Sequence, residues 1–217
     1  MKPICILPLI LCAGCVSVAW SEQPPCKLPS RWAEFHRQNM HRRNPCEKVL
    51  NVHNVGLLSL KWSHHTGYYV FSSPAVANGV VYVGSDDFDV YALNASTGAK
   101  LWSYTTGSLV DSSPAVADGV VYVGSEDNKV YALNGKTGAK LWSYATTDNY
   151  VFSSPAVANG VVYVGSFDGN VYALNAKTGA YLWSYHTGDI LDSSPAVVNG
   201  VVYVGSFDGN VYAFGLR

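Results

Sequence analysis

The stretch 112–144, SSPAVADGVVYVGSEDNKVYALNGKTGAKLWSY, decides the fold, because nearly the same run occurs three times in full and a fourth time as far as its third strand. The motif SSPAV begins at Ser72, Ser112, Ser153 and Ser193, at spacings of 40, 41 and 40 residues. Self-similarity at this period is typical of repeat architectures such as β-propellers, in which each repeat forms one blade. The internal structure of one repeat therefore indicates the architecture of the whole.

Three turns divide each repeat into four short strands. The first turn is an Asn-Gly or Asp-Gly dipeptide such as Asp118-Gly119, which accepts the positive φ angles of a two-residue type I′ hairpin. The run VVYVGS that follows is rich in strand-forming residues. A second turn lies near Asp127, and a third follows VYALN, where Asn134 and Gly138 suit a tight reversal. Four antiparallel strands in a repeat of this length predict a propeller blade.

The end of each repeat carries a more specific pattern. Residues 92–102, ALNASTGAKLW, match the pattern A-x-[DN]-x-x-x-G-x-x-x-W of quinoprotein propellers, as do residues 132–142 and 173–183. From about residue 60 to residue 217 the chain resembles the pyrroloquinoline-quinone-like repeat family. The resemblance implies that one tryptophan of each repeat packs between neighbouring blades and locks them together. These predicted docking residues are Trp62, Trp102, Trp142 and Trp183.

The phase of the repeat bears on how the ring closes. Residues 211–214 form the third strand of the fourth unit, and residues 60–64 read as a fourth strand with no preceding three. We predict an all-β propeller of four four-stranded blades, closed by pairing between these two segments so that no strand edge is exposed. Because members of the family usually have seven or eight blades, an alternative stays open. In it, two chains form one eight-bladed ring and residues 60–64 close the partner's last blade.

The residues before SSPAV differ between alternate repeats. Repeats one and three carry Tyr69-Val70-Phe71 and Tyr150-Val151-Phe152, whereas repeats two and four carry Leu109-Val110-Asp111 and Ile190-Leu191-Asp192. These residues enter the innermost strand, so we expect them at one mouth of the central channel. The site residues predicted there are Asp111, Asp192, Phe71, Phe152, Tyr69 and Tyr150.

Two interpretations of this channel mouth stay open. In the first, Asp111 and Asp192 face each other and bind a cation or a cationic group between the aromatic walls. Calcium favours several carboxylate and carbonyl oxygens, and the repeated serines would add further oxygens. In the second, each aspartate only accepts hydrogen bonds from backbone or serine groups at the start of a strand.

The first 19 residues have the pattern of a secretory signal peptide. Lys2 precedes an apolar run at residues 4–10 and small residues at 13–19, and the segment is too short to span a membrane. We predict cleavage after Ala19. The run from Cys12 to Cys15 also resembles a bacterial lipoprotein cleavage site, so lipidation of Cys15 is an open alternative. The protein is predicted to be exported to the periplasm or secreted. If Cys15 is lipidated, a lipid would anchor the protein at the outer membrane.

Residues 20–59 do not repeat and are predicted to cap one face of the propeller, which spans residues 60–217. Cys26 and Cys46 are the two cysteines that remain after the predicted cleavage, and an even pair in an exported protein indicates a disulfide. Closing that loop is worth about 3 kcal/mol in the chain-entropy model. The segment has six basic and three acidic residues, against seven and twelve from residue 60 onward. A basic cap on an acidic ring accounts for this charge pattern.

Composition and motifs bound the function. A formal net charge of -1, with 13% charged residues, gives no reason to expect nucleic acid as a partner. Quinoprotein dehydrogenases, as the resemblance implies, hold the quinone with a stacked tryptophan, calcium ligands and a catalytic aspartate from divergent blade loops. Here the loops are short and nearly identical, and no Ser-His-Asp set, phosphate loop or CxxCH motif occurs.

We therefore predict a non-catalytic scaffold without a cofactor that binds a protein or small ligand at the propeller rim, like the outer-membrane-assembly lipoproteins with this repeat. It contacts a membrane only through the alternative lipid anchor. Two alternatives stay open: a protein related to quinone-dependent dehydrogenases, with pyrroloquinoline quinone or calcium, and a lectin-like binder whose repeated loops present several weak sites.

Overall fold

The structure is a computed structural model that describes residues 47–147 and 149–216. Strands make up nearly all of its regular structure, and a short 3-10 turn lies at Val55–Leu57. The predicted signal peptide and the cysteines Cys15, Cys26 and Cys46 lie outside the described residues, so cleavage, lipidation and the disulfide stay predictions. Within the described part, no helix is long and apolar enough to cross a membrane.

The strands follow the four repeats. Blade 1 comprises β1 (Ala75–Ala77), β2 (Val80–Gly84), β3 (Asp89–Asn94) and β4 (Lys100–Thr105). Blade 2 comprises β5 (Ala115–Ala117), β6 (Val120–Ser125), β7 (Lys129–Asn134) and β8 (Lys140–Ala145). Blade 3 comprises β9 (Ala156–Ala158), β10 (Val161–Gly165), β11 (Asn170–Asn175) and β12 (Tyr181–His186). Blade 4 comprises β13 (Ala196–Val198), β14 (Val201–Gly205) and β15 (Val211–Gly215).

Each blade is an antiparallel meander in which strands pair in chain order. Blades 1 to 3 are four-stranded sheets, and blade 4 has three strands. The innermost strands β1, β5, β9 and β13 contact one another in sequence, which places the blades side by side around a common axis. The predicted all-β propeller architecture is confirmed.

The first turn of each blade has the backbone that its sequence predicts. In blade 2, Asp118 has φ 49° and Gly119 has φ 79°, and the Asn-Gly turns of the other three blades have the same two positive angles. Positive φ at both central positions is the mark of a type I′ turn, whose twist matches that of the flanking strands. Only small or short polar residues adopt this conformation at low cost, which explains the Asn/Asp-Gly dipeptide.

The core lies between blades rather than within them. Between blades 1 and 2, Val90 and Tyr82 of one blade pack with Val110, Val121 and Leu133 of the next, and all five are buried. Blades 2 and 3 repeat this packing with the equivalent residues. Because a blade is a single sheet with two faces, it buries both only when it has a neighbour on each side.

The serines of SSPAV join the inner strands into a hydrogen-bonded arc. The Ser112 hydroxyl donates to the Ser153 carbonyl (3.1 Å) and accepts from the Gly124 N–H of its own blade (3.0 Å). The Ser113 N–H donates to the Ser154 hydroxyl (2.9 Å). The same bonds join blade 1 to blade 2 and blade 3 to blade 4.

The predicted closure of the ring is not seen in these bonds. Residues 60–64 are not assigned to a strand, and β15 is the outer strand of blade 4. Among the hydrogen bonds of the described residues, none joins Ser193 or Ser194 of blade 4 to Ser72 or Ser73 of blade 1. Closure within one chain therefore stays a prediction, and the described blades form an arc.

Candidate functional site

The loop that leads into each inner strand is fixed by two backbone bonds. In blade 2, Leu109 O accepts from the Glu126 N–H of the same blade (3.0 Å), and the Val110 N–H donates to Ser85 O of blade 1 (3.3 Å). Val110 is fully buried and packs against the backbone of Gly84, where even a Cβ atom would collide with it. These contacts hold the next residue, Asp111, at the channel mouth where blades 1 and 2 meet.

Asp111 meets the carboxyl group of Asp86 from blade 1. Asp86 is 7% exposed, and one oxygen of each carboxyl group, Oδ1, is buried without a hydrogen-bond partner in the described part of the chain. Burial, followed by the contact with Asp86, raises the pKa of Asp111 to about 7. Near neutral pH, Asp111 therefore either keeps its proton or needs a cation beside it.

Other acidic groups extend this negative mouth. Glu126 and Asp192 both add to the rise in the pKa of Asp111, although less than burial and Asp86 do. Burial raises the pKa of Glu126, with a further contribution from Asp86. Burial also raises the pKa of Asp192. The predicted partner Asp192 thus lies within electrostatic reach of Asp111, but the carboxyl group in contact with Asp111 is that of Asp86.

Aromatic side chains form the other part of the mouth. Phe152 packs on Phe167 with ring centroids 4.7 Å apart, and Tyr150 lies 5.6 Å from Phe152 in an edge-on arrangement. In blade 1, Tyr69 lies 6.1 Å from Phe71, whose side chain is 70% exposed. The aromatic cluster of blade 3 is therefore compact, whereas its counterpart in blade 1 faces solvent.

The structure adds Asp86, Glu126 and Phe167 to the predicted site. All three occupy the position directly after VVYVGS, which reads Asp86, Glu126, Phe167 and Phe207 in the four repeats. This position breaks the two-fold pattern of the preceding loop, since it concentrates acid in blades 1 and 2 and aromatic groups in blades 3 and 4. Comparing the four repeats column by column would have found this change from acidic to aromatic residues.

The residues at the mouth give little support to a calcium site. The first serine of each SSPAV at the three junctions donates to the next blade and accepts from its own, so its hydroxyl is engaged in the arc. No group of three or more His, Cys, Asp or Glu side chains that could hold a metal ion is found among residues 47–147 and 149–216. The metal version of the hypothesis stays a prediction.

The repeated tryptophans lie away from the mouth, at the junctions between blades. Their indole N–H groups donate to a carbonyl of the next blade in three cases: Trp62 to Ala95 (3.0 Å), Trp102 to Gly135 (3.0 Å) and Trp142 to Ala176 (2.9 Å). Each of these rings also packs on a turn glycine of positive φ, such as Gly138 beneath Trp102. The fourth, Trp183, packs on Phe214 with centroids 5.1 Å apart.

This use of tryptophan bears on the quinone alternative. A quinone site needs a tryptophan face free to stack on the cofactor, and the described tryptophans stand in the outer strands or the segment before blade 1, facing the next blade. None of these described tryptophans is shown to stack on a ligand, and the quinone alternative stays a prediction.

An apolar groove of about 990 Å³ lies between blades 3 and 4. It is lined by Val157, Trp183, Val197, Phe214 and Leu216, among others. At the other two junctions, the third turn of the following blade covers this place and supplies the carbonyl that the tryptophan binds. The groove is thus an uncovered blade junction and contains none of the predicted site residues except Trp183.

Comparison with known proteins places the chain among propellers of this repeat type. It is similar to BamB from Moraxella catarrhalis (25% identity, TM-score 0.65), with 72% of this chain and 53% of BamB covered. It is also similar to the quinohemoprotein alcohol dehydrogenase ADHIIG from Pseudomonas putida HK5 (26% identity, TM-score 0.73), with 83% of this chain and 35% of the dehydrogenase covered. The chain thus spans about half of the one structure and a third of the other.

A third similar structure is the computationally designed Ika4 protein, with 20% identity and a TM-score of 0.64 over 70% of this chain and 94% of the design. At this identity the likeness shows the fold alone. Among curated proteins, none matches the chain in sequence. The family model described as outer membrane protein assembly factor BamB matches residues 49–217. The chain therefore belongs to this BamB-like family of pyrroloquinoline-quinone-like repeat propellers.

Proposed function

We propose that the chain is an exported, non-catalytic binding module whose channel mouth takes a cationic group of a partner protein, a lysine or arginine side chain. The observation that carries this proposal is the contact between Asp86 and Asp111, each with a buried Oδ1 that no described donor satisfies. A buried carboxylate without donors is costly, and a charged N–H donor is the group that offsets this cost best.

The surroundings favour an organic cation over a metal ion. Phe152 enters the inner strand next to Asp111, because the serines that follow the two residues are hydrogen-bonded to each other. An aromatic face beside a carboxylate suits an ammonium or guanidinium group, which gains from both the charge and the ring. A calcium ion would need several more oxygens than these residues provide.

Three further observations support a binding role. Trp102 and Trp142 donate their indole N–H groups to the next blade, which supports a role in blade docking. The family model that matches the chain is described as an outer membrane protein assembly factor, which favours a protein partner. Export is supported by the apolar leader-like segment at residues 1–19. Fold likeness to dehydrogenases does not by itself bring their chemistry, since function depends on the site.

The proposal is tested by thermal unfolding with small cationic probes. We expect N-acetyl-lysine amide or N-acetyl-arginine amide to raise the Tm of the chain more than sodium or calcium chloride does at equal ionic strength. In the double variant Asp86→Asn/Asp111→Asn this gain should disappear. Asp118→Asn is the matched control, because Asp118 lies in a first turn where the other blades already have Asn.

Two results would contradict the proposal. One is the absence of any Tm gain with either probe. The other is an equal gain in the double variant and in the unsubstituted chain, which would place binding elsewhere. A larger gain with calcium chloride that the double variant loses would support the metal version instead.

A further inference from the structure

The two ends of the blade arc are complementary to each other. At the first end, residues 60–67 lie on blade 1 with the contacts that an outer strand makes to the following blade. The Trp62 N–H donates to Ala95 O (3.0 Å), and the Gly67 N–H donates to an Asp87 carboxylate oxygen (2.5 Å). His64 packs on Tyr91 with ring centroids 5.7 Å apart.

The same three contacts define the junction between blades 1 and 2. There the Trp102 N–H donates to Gly135 O, the Gly107 N–H donates to Asp127, and the Tyr104 and Tyr131 ring centroids are 5.7 Å apart. Residues 60–67 thus hold the place of an outer strand that belongs to a blade before blade 1. Among the described strands, none pairs with them.

The second end of the arc lacks the strand that the first end offers. Blade 4 has three strands, and β15 has no outer neighbour among the described residues. Its Val211 is 80% exposed, whereas the equivalent Val90, Val130 and Val171 of the other blades are fully buried. Tyr203 and Val198 on the same face are also exposed, so blade 4 presents to solvent the apolar face that blades 1 and 2 bury against their neighbours.

We propose that two copies of this chain join end to end into one eight-bladed ring, in which residues 60–65 of each copy complete blade 4 of the other. The repeat register assigns the pairing. Asn170 of blade 3 pairs with His186 and Ala173 pairs with Trp183, so Asn210 would pair with His65 of the second copy and Ala213 with its Trp62. Each copy donates one strand and receives one, which closes the assembly with two-fold symmetry.

A second copy fits better than closure within one chain. Three consecutive junctions share the same serine bonds, yet the bonds from Ser193 and Ser194 to blade 1 are not present among those of the described residues. Gly205 shows the same difference: Val110 packs on Gly84 and Val151 on Gly124, but Val70 is not within reach of a Cβ atom at Gly205. In the two-copy ring, blade 1 of each copy packs against blade 4 of the other. This contact would cover both Phe71 and Val211.

Cross-linking separates the two arrangements. In the full chain, His65→Cys/Asn210→Cys places two thiols at the proposed seam, for treatment with a short bismaleimide. The matched control is His186→Cys/Asn170→Cys, which has the same residue types at the same register within blade 3. We expect a covalent product of twice the 23.4 kDa chain mass from the seam pair and a product of single-chain mass from the control.

Light scattering of the unsubstituted protein accompanies this experiment, and the unsubstituted chain also reports any background from native cysteines. A particle of two chains, together with the covalent dimer, supports the proposal. A seam pair that cross-links at single-chain mass would overturn it in favour of a closed four-bladed ring. A monomer in solution without cross-linking at the seam would also overturn it, because the arc would then stay open.

Discussion

The same Leu-Trp-Ser-Tyr strand lies at the junction between blades 2 and 3 and at the junction between blades 3 and 4. The contacts of its tryptophan differ between these two junctions. Trp142 is 8% exposed, donates to Ala176 O and packs on Gly179. Trp183 is 36% exposed, packs on Phe214, and has no acceptor for its N–H within the described part of the chain. The docking energy of a repeat therefore comes from the turn of the following blade as much as from the tryptophan itself.

The acidic residues at the mouth show the same dependence on the neighbour. Asp111 and Asp192 occupy equivalent positions, but the preceding blade places Asp86 beside the first and has Phe167 at the position equivalent to Asp86 for the second. The pKa of Asp111 rises to about 7, whereas burial alone raises that of Asp192. In both comparisons, equivalent residues of the same type differ, in exposure for the tryptophans and in pKa for the aspartates, because the adjoining blade differs.

The largest expected effect is on the docking tryptophans. Trp142→Ala should lower the free energy of unfolding by about 3–5 kcal/mol, the usual cost of removing a large buried aromatic side chain. Trp183→Ala should cost less than half as much, because that ring is partly exposed and lacks the N–H bond. Urea unfolding followed by circular dichroism measures both. Equal losses would show that blade 4 docks Trp183 as firmly as blade 3 docks Trp142.

A smaller effect is expected at the turn glycines. Gly138 has φ +73°, and a Cβ atom there would lie 2.8 Å from the Trp102 ring, whereas Gly200 has φ +77° and open space around it. Gly200→Ala should cost about 1–2 kcal/mol for the left-handed conformation alone. Gly138→Ala should cost about 1–3 kcal/mol more, because it also displaces the indole. The same urea titration compares them, and indistinguishable midpoints would mean that the indole moves aside freely.

The smallest expected effect concerns pH. The pKa of Asp111 in the folded protein is raised from its ordinary value of 3.8 to about 7. The contribution of Asp111 to stability is therefore complete below about pH 3.8 and is lost as pH rises through about 7. The Tm of the protein should therefore fall between about pH 4 and about pH 7, and Asp111→Asn should reduce that fall. Asp192→Asn should change it less, since burial alone raises the pKa of Asp192 among the residues that the structure describes. Identical pH profiles for the protein and Asp111→Asn would argue against the carboxyl pair.

Much of the fold follows from local chemistry that one repeat already contains. The Asn-Gly turns, the Val and Tyr alternation and the A-x-N-x-x-x-G-x-x-x-W run predict the strands and turns of a blade, because turn geometry and strand pairing depend on residues close in sequence. The sequence suggests the SSPAV serines as further cation ligands. Their engagement in the arc was not foreseen, since it depends on the inner strand of another blade.

The candidate site was predicted in part. The loop before SSPAV indicates the mouth and names Asp111, but the contact with Asp86 joins residues 25 positions apart on two blades. Asp86 also follows a strand of ordinary sequence, where an acidic residue reads as a turn former. Its burial depends on how closely blade 2 approaches blade 1, which no single repeat encodes.

By itself, the sequence determined the repeat, the blade and the hairpin turns, because each depends on backbone conformation and hydrogen bonds within a few residues. Only the tertiary structure decided which carboxyl groups meet, which tryptophan is left partly exposed, and that residues 60–67 dock on blade 1 as the outer strand of a preceding blade would. These properties arise at junctions between blades, where near-identical repeats meet unlike neighbours and where burial depends on what lies across the gap.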